Sequence, residues 1–330
     1  MVAERIASLS LDLDNLWSYQ MTHGDPEWEA LGTYLPTLVP LVLDELAALD
    51  LHITFFVVGQ DAARPENRAA IAALSGASHE IGNHSFRHQP WLHRYSPDEI
   101  NEELARTEDA IGSVTGQHTV GFRGPGYSLS GDVLEVLVQR GYRYDCSTLP
   151  TVVGPLARRY YFRSAKLTAE QRAERSMLFG GAREGLRPLK PYFWQVGEHR
   201  LLEIPVTTMP LTRVPIHVSY VLYLAGVSPT AAHQYFANAL RVCRARGVEP
   251  SILLHPLDFL GADDVDALGF FPGMAMPGAR KRAIVRSCLA ELARQFRVLP
   301  MGEHASLALA RPGLPVVAAV RATPVLERAR

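Results

Sequence analysis

Cysteine is scarce in this sequence, and its spacing matches no disulfide framework or zinc site. Three cysteines occur among 330 residues, at positions 146, 243 and 288, and no Cys-x-x-Cys pair is present. An odd, scattered set is typical of buried thiols in a reducing compartment. We therefore interpret Cys146, Cys243 and Cys288 as structural residues.

Long apolar runs are also missing. The longest candidate, residues 216–227, is shorter than the ~18–20 residues that cross a bilayer. At the start of the chain, the apolar run from Ile6 is interrupted by Asp12 and Asp14, which leaves no room for a signal peptide. These two features predict a cytoplasmic protein without a membrane span.

The chain lacks an excess of either charge. Lys and Arg total 33 against 34 Asp and Glu, a formal net charge of -1. No overall basic field attracts a polyanion, so nucleic acid is not expected as a partner. The 47% of hydrophobic residues allows a full core in one large α/β domain or two small ones.

What is present is an alternation of short β-like runs with amphipathic stretches, which predicts βα units around a mainly parallel sheet or barrel. The predicted strands are residues 6–13, 52–58, 79–83, 120–124, 142–145, 201–207, 252–255 and 297–300. The predicted helices are residues 35–49, 65–75, 97–114, 130–140, 229–246 and 277–296. This domain would cover residues 1–304.

Two segments depart from the alternation. Residues 157–190 hold nine Lys or Arg against three Glu, and we interpret about 157–200 as a basic insertion. It would either meet a phosphate-bearing or polyprenyl-linked substrate as a peripheral membrane contact, or form a solvated surface. Its central residues are Arg158, Arg159, Tyr160, Tyr161, Phe162, Arg163 and Lys166. Residues 305–330 are predicted to be an irregular tail, loosely packed or disordered.

Polar side chains suited to catalysis follow five of the predicted strands. In a parallel α/β fold the carboxyl ends of the strands face one rim, so residues distant in sequence converge there. These residues are Asp12 and Asp14 after the first strand, His84 and His88 after the third, Arg123 after the fourth, Asp145 after the fifth and His255 after the seventh.

The histidines suggest a metal site. His84 and His88 are four residues apart, and a helical turn would place both imidazoles on one side. An isolated pair of this kind is more often one surface and one packing histidine. A carboxylate from a separate strand would complete an Asp-His-His set, which leaves positions open for water and substrate.

The two aspartates lie on the same side of a strand by alternation, and their mutual repulsion needs compensation. A divalent cation on one and a guanidinium on the other would provide it and leave the second carboxylate free as a base. The alternative is a pair of acids that cap a loop or helix.

Two further motifs complete the set. Arg123 precedes a glycine-rich turn that could present a backbone N–H to an oxyanion while the guanidinium orients a carboxylate, although an ordinary turn is the simpler interpretation. His255 ends an apolar run and could be held in one tautomer by a carboxylate such as Asp145, although such a histidine is often only a hydrogen-bonded core residue.

In this order, the motifs resemble those of the polysaccharide deacetylase family, which has the NodB-homology domain and forms carbohydrate esterase family four. The Asp-x-Asp spacing is similar to a branch whose members tend to act inside the cell. Gly126 stands where many members have an aromatic residue, and Tyr127 follows it. The matching residues are Asp12, Asp14, the His-Ser-Phe-Arg-His run 84–88, Arg123, Pro125, Asp145, Leu253 and His255.

The resemblance implies a distorted (β/α) barrel and a metal-dependent N-deacetylase. Asp14, His84 and His88 would hold a divalent ion, zinc by default, with cobalt, manganese or nickel as alternatives. Asp12, positioned by Arg123, would be the base, and His255, oriented by Asp145, the acid. The Gly126 N–H would stabilise the oxyanion, with Pro125 and Tyr127 beside the substrate.

The expected substrate is an N-acylated amino sugar, a glycan or glycolipid intermediate that could be nucleotide- or lipid-linked. A deformylase or another linear or cyclic amide hydrolase could use the same site. A non-catalytic carbohydrate-binding barrel is the alternative from another class, but it has no need of the complete set of site residues.

Overall fold

A largely parallel β-sheet forms the centre of the structure, a computed structural model that describes residues 5–165, 167–174 and 182–319. The strands are β1 (Ile6–Leu13), β2 (Thr54–Val57), β3 (Glu80–Asn83), β4 (Gly121–Phe122), β5 (Tyr144–Asp145), β6 (Tyr192–Val196), β7 (His199–Glu203), β8 (Ser251–Leu254), β9 (Arg297–Leu299) and β10 (Val316–Ala318). The helices are α1 (Leu16–His23), α2 (Leu35–Ala47), α3 (Gly59–Ala63), α4 (Arg68–Gly76), α5 (Pro97–Thr115), α6 (Gly131–Gln139), α7 (Gly154–Ser164), α8 (Ala169–Glu174), α9 (Val218–Val227), α10 (Pro229–Ala245), α11 (Gly278–Gln295) and α12 (Met301–Leu309).

The strand order is β10-β6-β7-β5-β4-β3-β2-β1-β8, and β9 pairs with the first part of β1. Of the strand pairs in the described residues, β6–β7 is the one antiparallel pair. The predicted α/β fold with mainly parallel strands is confirmed. The sheet does not close. The Thr207 N–H, just after β7, donates to the Ser251 carbonyl of β8 at 2.9 Å, but β7 and β8 form no ladder.

The register of the sheet brings the strand ends to one rim. A single row of paired residues crosses six strands near their carboxyl ends, and Leu254 of β8 pairs with Leu11 of β1, so His255 follows at the level of Asp12. The polar residues that follow the strands therefore start from one level, as expected for a parallel α/β fold. The row consists of Leu13, Val57, Asn83, Phe122, Asp145 and Glu203.

The helices cover the outside of the sheet with apolar stripes. In α2, buried residues recur at Leu35, Leu38, Val39, Val42 and Leu46, the spacing of a helix that buries one face. All three cysteines are buried and unpaired, which confirms the predicted buried thiols. No helix in the described ranges combines the length and apolar character that crossing a bilayer would require.

The segment predicted as a basic insertion contains more regular structure than expected. It forms α7 and α8 and then β6, which continues the sheet. Arg159 and Arg163 are exposed. The side chains of Arg158, Tyr160 and Tyr161, all of Lys166, and residues 175–181 lie outside the described residues.

The predicted irregular tail is wrong for residues 305–319. These residues complete α12 and form β10, which pairs with β6 in register Val316 with Phe193. Val317 packs against a buried cluster that includes Trp194, so a short strand of weak sequence pattern is stabilised by its neighbour. Residues 320–330 lie outside the described part of the chain.

Candidate metal centre and active site

Asp14, His84 and His88 converge at the rim of the sheet. Their ligand atoms lie within 4.8 Å of one another, and all three residues are buried. The Nε2 atoms of His84 and His88 lie 3.4 and 2.9 Å from Asp14 Oδ1. Among the described residues this is the one cluster of three or more potential metal ligands, and it is the set predicted from the sequence.

The loop between the two histidines is not the helical turn that we predicted. Ser85 and His88 have left-handed backbones, with φ of 58° and 50°, a conformation that costs about 1 kcal/mol for a residue with a side chain. The imidazole centroids are 4.9 Å apart, so the loop brings the rings together by two local bends. Such strain persists where the surroundings enforce it.

Those surroundings are polar and buried. Asn83 Oδ1 accepts a hydrogen bond from the Ser85 N–H at 2.8 Å. Glu103 of α5 accepts from the Phe86 and Arg87 N–H groups at 2.9 and 2.8 Å. The loop that carries the two histidines is therefore fixed to the sheet at one end and to α5 in its middle.

His84 is held in one tautomer. Its Nδ1 lies 2.6 Å from the carbonyl oxygen of Arg123, and because a carbonyl only accepts, Nδ1 donates. Nε2 then faces Asp14, an arrangement that is common for metal-binding histidines.

Asp12 has a different environment from Asp14. The Arg123 guanidinium is fully buried and donates through Nη1 to Asp12 Oδ1 at 2.7 Å and to Ser10 Oγ at 2.8 Å. It also stacks on the Phe56 ring at 4.4 Å. The predicted contact between Arg123 and Asp12 is present, and it positions a buried carboxylate beside the Asp14 cluster.

The cluster has the electrostatics of a cation site. Burial would raise the pKa of Asp14, but the charges and hydrogen bonds of His88 and His84 hold it well below its usual range. Asp14 Oδ1 and both ring nitrogens of His88 are buried without a well-aligned hydrogen bond, although Oδ1 and Nε2 are 2.9 Å apart. Buried atoms that approach without hydrogen-bond alignment fit ligands that share one ion.

The turn after Arg123 presents an exposed backbone. Arg123 and Pro125 are buried, Gly126 is exposed, and Gly126 and Tyr127 both have positive φ, 57° and 63°. A Cβ at Gly126 would come within 3.1 Å of Pro90, so both the φ angle and the close approach favour glycine. Burial and the charge of Asp12 raise the pKa of Tyr127, which keeps its hydroxyl neutral.

His255 has a different carboxylate neighbour from the one we predicted. Its ring Nδ1 lies 3.2 Å from Ser219 Oγ, and its backbone N–H donates to Asp258 Oδ2 at 2.8 Å. Burial raises the pKa of Asp258, and the charge of His255 and a hydrogen bond from Ser219 partly oppose this. Asp258 is thus the buried acid beside His255.

The predicted Asp145–His255 hydrogen bond does not form among the described residues, because each of the two has other partners. Asp145 Oδ1 accepts from Ser147 Oγ at 2.5 Å, and the partner of Asp145 across the sheet is Glu203. Burial and the charge of Asp145 raise the pKa of Glu203 well above its usual range. The two acids are neighbours inside the sheet, on the two strands that follow β4 in the strand order.

Other residues near the centre were not predicted. Asp61, whose pKa burial raises to about 6, accepts from Asn15 and Trp17 at 2.7 and 3.0 Å, and the Trp17 ring meets His88 edge-on at 6.4 Å. His217 lies beside His255, with 5.7 Å between ring centroids. Asp61 and Trp17 each stand four residues after a strand but belong to no recognised motif, and His217 precedes a helix, so none of them was predicted.

The chain is similar to known proteins in sequence and in fold. Residues 27–144 match the family model described as polysaccharide deacetylase, which confirms the resemblance predicted from the motifs. A Bacillus cereus peptidoglycan-N-acetylglucosamine deacetylase is 30% identical over 96 residues, 29% of this chain and 32% of the relative. An uncharacterised 30.6 kDa protein of Geobacillus stearothermophilus is 35% identical over 103 residues, 31% of this chain and 38% of its own.

The chain thus spans about a third of the length of these curated relatives. A solved Mycobacterium smegmatis structure assigned as a polysaccharide deacetylase aligns over 99% of both chains with a TM-score of 0.59 and 19% identity. At that identity the alignment supports a common fold and nothing beyond it.

Proposed function

We propose that this chain, in which residues 27–144 carry the polysaccharide deacetylase match, is a metal-dependent hydrolase that removes the acetyl group from an N-acetylated amino sugar. The observation that carries the proposal is the adjacency of two sites. The Asp14–His84–His88 cluster lies next to the Asp12 carboxylate, which Arg123 holds at 2.7 Å.

The cluster would hold the cofactor. Two imidazoles and one carboxylate suit a zinc ion, and three protein ligands leave room for water and substrate. When bound, a divalent ion supplies Lewis-acid polarisation of the acyl oxygen and acidifies a water.

Asp12 would act as the general base. Its Oδ1 is bound to Arg123, which orients the carboxylate, while Oδ2 lies 3.9 Å from His84 Nε2 and so faces the metal ligands. A carboxylate held on one oxygen and directed toward the reaction centre with the other can accept the proton of the attacking water.

Two groups would complete the reaction. The exposed Gly126 N–H would donate to the developing oxyanion, and the buried Arg123 and Pro125 fix that turn. His255, one strand from Asp12 in the register, would protonate the departing amine. Ser219 lies against its Nδ1 and Asp258 accepts from its backbone N–H, so these two residues would orient His255 in the role first expected of Asp145.

The experiment compares metal content and acetate release in the same samples. Purified protein is reconstituted with Zn²⁺, Co²⁺, Mn²⁺ or Ni²⁺ and incubated with tri-N-acetylchitotriose, beside the variant His84→Ala/His88→Ala. His233→Ala is the matched control, because His233 is an exposed histidine on α10. We expect about one ion per chain and acetate release in the wild type and the control, and neither in the double variant.

Each other outcome changes a different part of the proposal. Metal without acetate from any acetylated sugar would mean that the ligands are right and the substrate wrong, and N-formyl sugars and cyclic amides would be tested next. Failure to bind any of the four ions would contradict the assignment of Asp14, His84 and His88.

A further inference from the structure

His217 is a buried histidine beside the proposed acid that none of the motifs includes. It immediately precedes α9 and is 6% exposed. Its neighbours in sequence, Ile216 and Val218, are both fully buried and fix its backbone. Its ring lies edge-on to Tyr220 at 4.6 Å and 5.7 Å from the ring of His255.

The His217 side chain makes no hydrogen bond with the described residues, and its Nδ1 is fully enclosed. His304, another buried histidine away from the candidate metal ligands, has partners for both ring nitrogens. His304 lies 2.8 Å from Ser8 Oγ through Nδ1 and 3.2 Å from Glu249 through Nε2. A buried ring without partners costs folding free energy, so a packing role alone does not account for a histidine at this position.

The ring is uncharged in this environment. Burial, with the charges of His255 and Arg123, lowers its pKa well below the usual value. A neutral imidazole donates through one nitrogen and accepts through the other. A sugar hydroxyl also does both, whereas a carboxylate or phosphate only accepts, so the ring is chemically matched to a hydroxyl.

The position of His217 points to the sugar ring and not to the acyl group. The acyl carbon would be attacked at the metal ligands, and the departing nitrogen would face His255. The carbons beside that nitrogen carry the ring hydroxyls. His217 lies 5.7 Å from His255, ring to ring, so a sugar whose nitrogen faces His255 would bring a ring hydroxyl alongside His217.

We propose that His217 is a substrate-positioning residue whose imidazole hydrogen bonds a hydroxyl of the amino sugar. The proposal rests on the proposed deacetylase function and names a determinant of its specificity. Since His217 touches neither the metal ligands nor Asp12 in any described contact, its loss affects substrate binding more than the chemical step.

The test compares His217→Leu, which removes both hydrogen-bonding atoms, with His217→Gln, which retains a donor and an acceptor. Initial rates on tri-N-acetylchitotriose give kcat and KM, with His233→Ala as control. We expect His217→Leu to raise KM about tenfold, the loss of one hydrogen bond, with metal content unchanged. His217→Gln should recover most of that loss.

A second measurement uses the wild-type protein alone, so it does not depend on how the variants fold. N-acetylglucosamine and its 3-, 4- and 6-deoxy analogues are compared as competitive inhibitors. One analogue should bind about tenfold more weakly than the parent sugar, and in His217→Leu, where that protein folds, the difference should disappear.

Three results would overturn the inference. These are an unchanged KM in His217→Leu, an equal loss in the Gln and Leu variants, which indicates packing, and equal inhibition by all four sugars. If the wild-type protein binds metal but releases no acetate, the proposed function fails instead, so the two failures are distinguishable.

Discussion

Asp12 and Asp14 are the same residue type two positions apart, yet their surroundings assign them different tasks. Asp14 faces two imidazoles whose nitrogens lie 2.9 and 3.4 Å away. Asp12 is held by a buried guanidinium at 2.7 Å. A carboxylate beside two imidazole nitrogens suits a cation site, and one fixed by arginine suits proton transfer.

Matched amide substitutions should separate these tasks. We expect Asp12→Asn to retain the metal and to lower kcat by about 10²- to 10⁴-fold, the usual contribution of a general base. Asp14→Asn should lose the metal itself. Metal analysis and acetate release on both proteins check this, and a normal turnover rate in Asp12→Asn would remove Asp12 from the mechanism.

A different residue should make stability depend on pH. His79 is buried, and its Nδ1 accepts from the Ile53 N–H at 3.2 Å, a bond that protonation of Nδ1 would abolish. Burial, with the nearby charge of His52, lowers its pKa from 6.5 to about 4.

Because the folded pKa is the lower one, the stabilisation is complete above pH 6.5 and is lost as the pH falls toward 4. At 1.36 kcal/mol per pKa unit, the free energy of unfolding would fall by at most about 3 kcal/mol through His79. Urea unfolding at pH 7, 5.5 and 4.5 should show a smaller fall in His79→Asn, whose side-chain oxygen accepts without titrating. Parallel curves for the two proteins would contradict this.

At the scale of elements, α5 supports the loop that carries His84 and His88. Its Glu103 is 2% exposed and accepts hydrogen bonds from two consecutive backbone N–H groups between these histidines. The beginning of the same helix carries a capping box in which Ser96 accepts from the Glu99 N–H. The same helix therefore offers one contact at the candidate site, through Glu103, and one purely structural contact, through Ser96.

We expect Glu103→Gln to weaken metal affinity about tenfold, because an amide binds the two N–H groups less strongly than a carboxylate and loosens a strained loop. Ser96→Ala is the control: it should lower stability by about 1 kcal/mol and leave metal affinity unchanged. Competition with a chelator measures the affinity, and equal affinities in the two variants would show that Glu103 has no special role.

The sequence predicted the elements that have a clear local pattern, and it missed elements that are stabilised by neighbouring strands. The predicted and observed bounds of β1 coincide because eight buried residues end at an aspartate. β6 was hidden in a segment dominated by basic charge, and it is stabilised by its hairpin with β7. The rule that functional groups follow strands selected Asp14 and His255 as candidates, but Asp258 ends a 3₁₀ turn and His217 precedes a helix, so neither was predicted.

At the scale of the molecule, the open sheet leaves edges that must be protected. β10 covers β6 through the pairing of residues 316–318 with 193–195. An uncovered strand edge is a template for association with another chain.

A protein that ends at residue 314 should therefore unfold at a lower temperature and aggregate in a concentration-dependent manner, while one that ends at residue 319 behaves as the full chain. Thermal unfolding and light scattering on both check this. Acetate release per folded molecule should be retained, because β10 is far from β1 in the strand order. Identical behaviour of the two truncated proteins would mean that β10 does not protect the sheet.

Arg123 meets both halves of the centre: its carbonyl oxygen fixes His84, and its guanidinium fixes Asp12. A small shift of this residue would therefore move His84 and Asp12, the proposed metal ligand and the proposed base, in the same direction. Their separation is then set within one residue and not by the accumulated packing of several strands. If the strands of this unclosed sheet shift relative to one another, His84 and Asp12 can therefore keep a constant spacing.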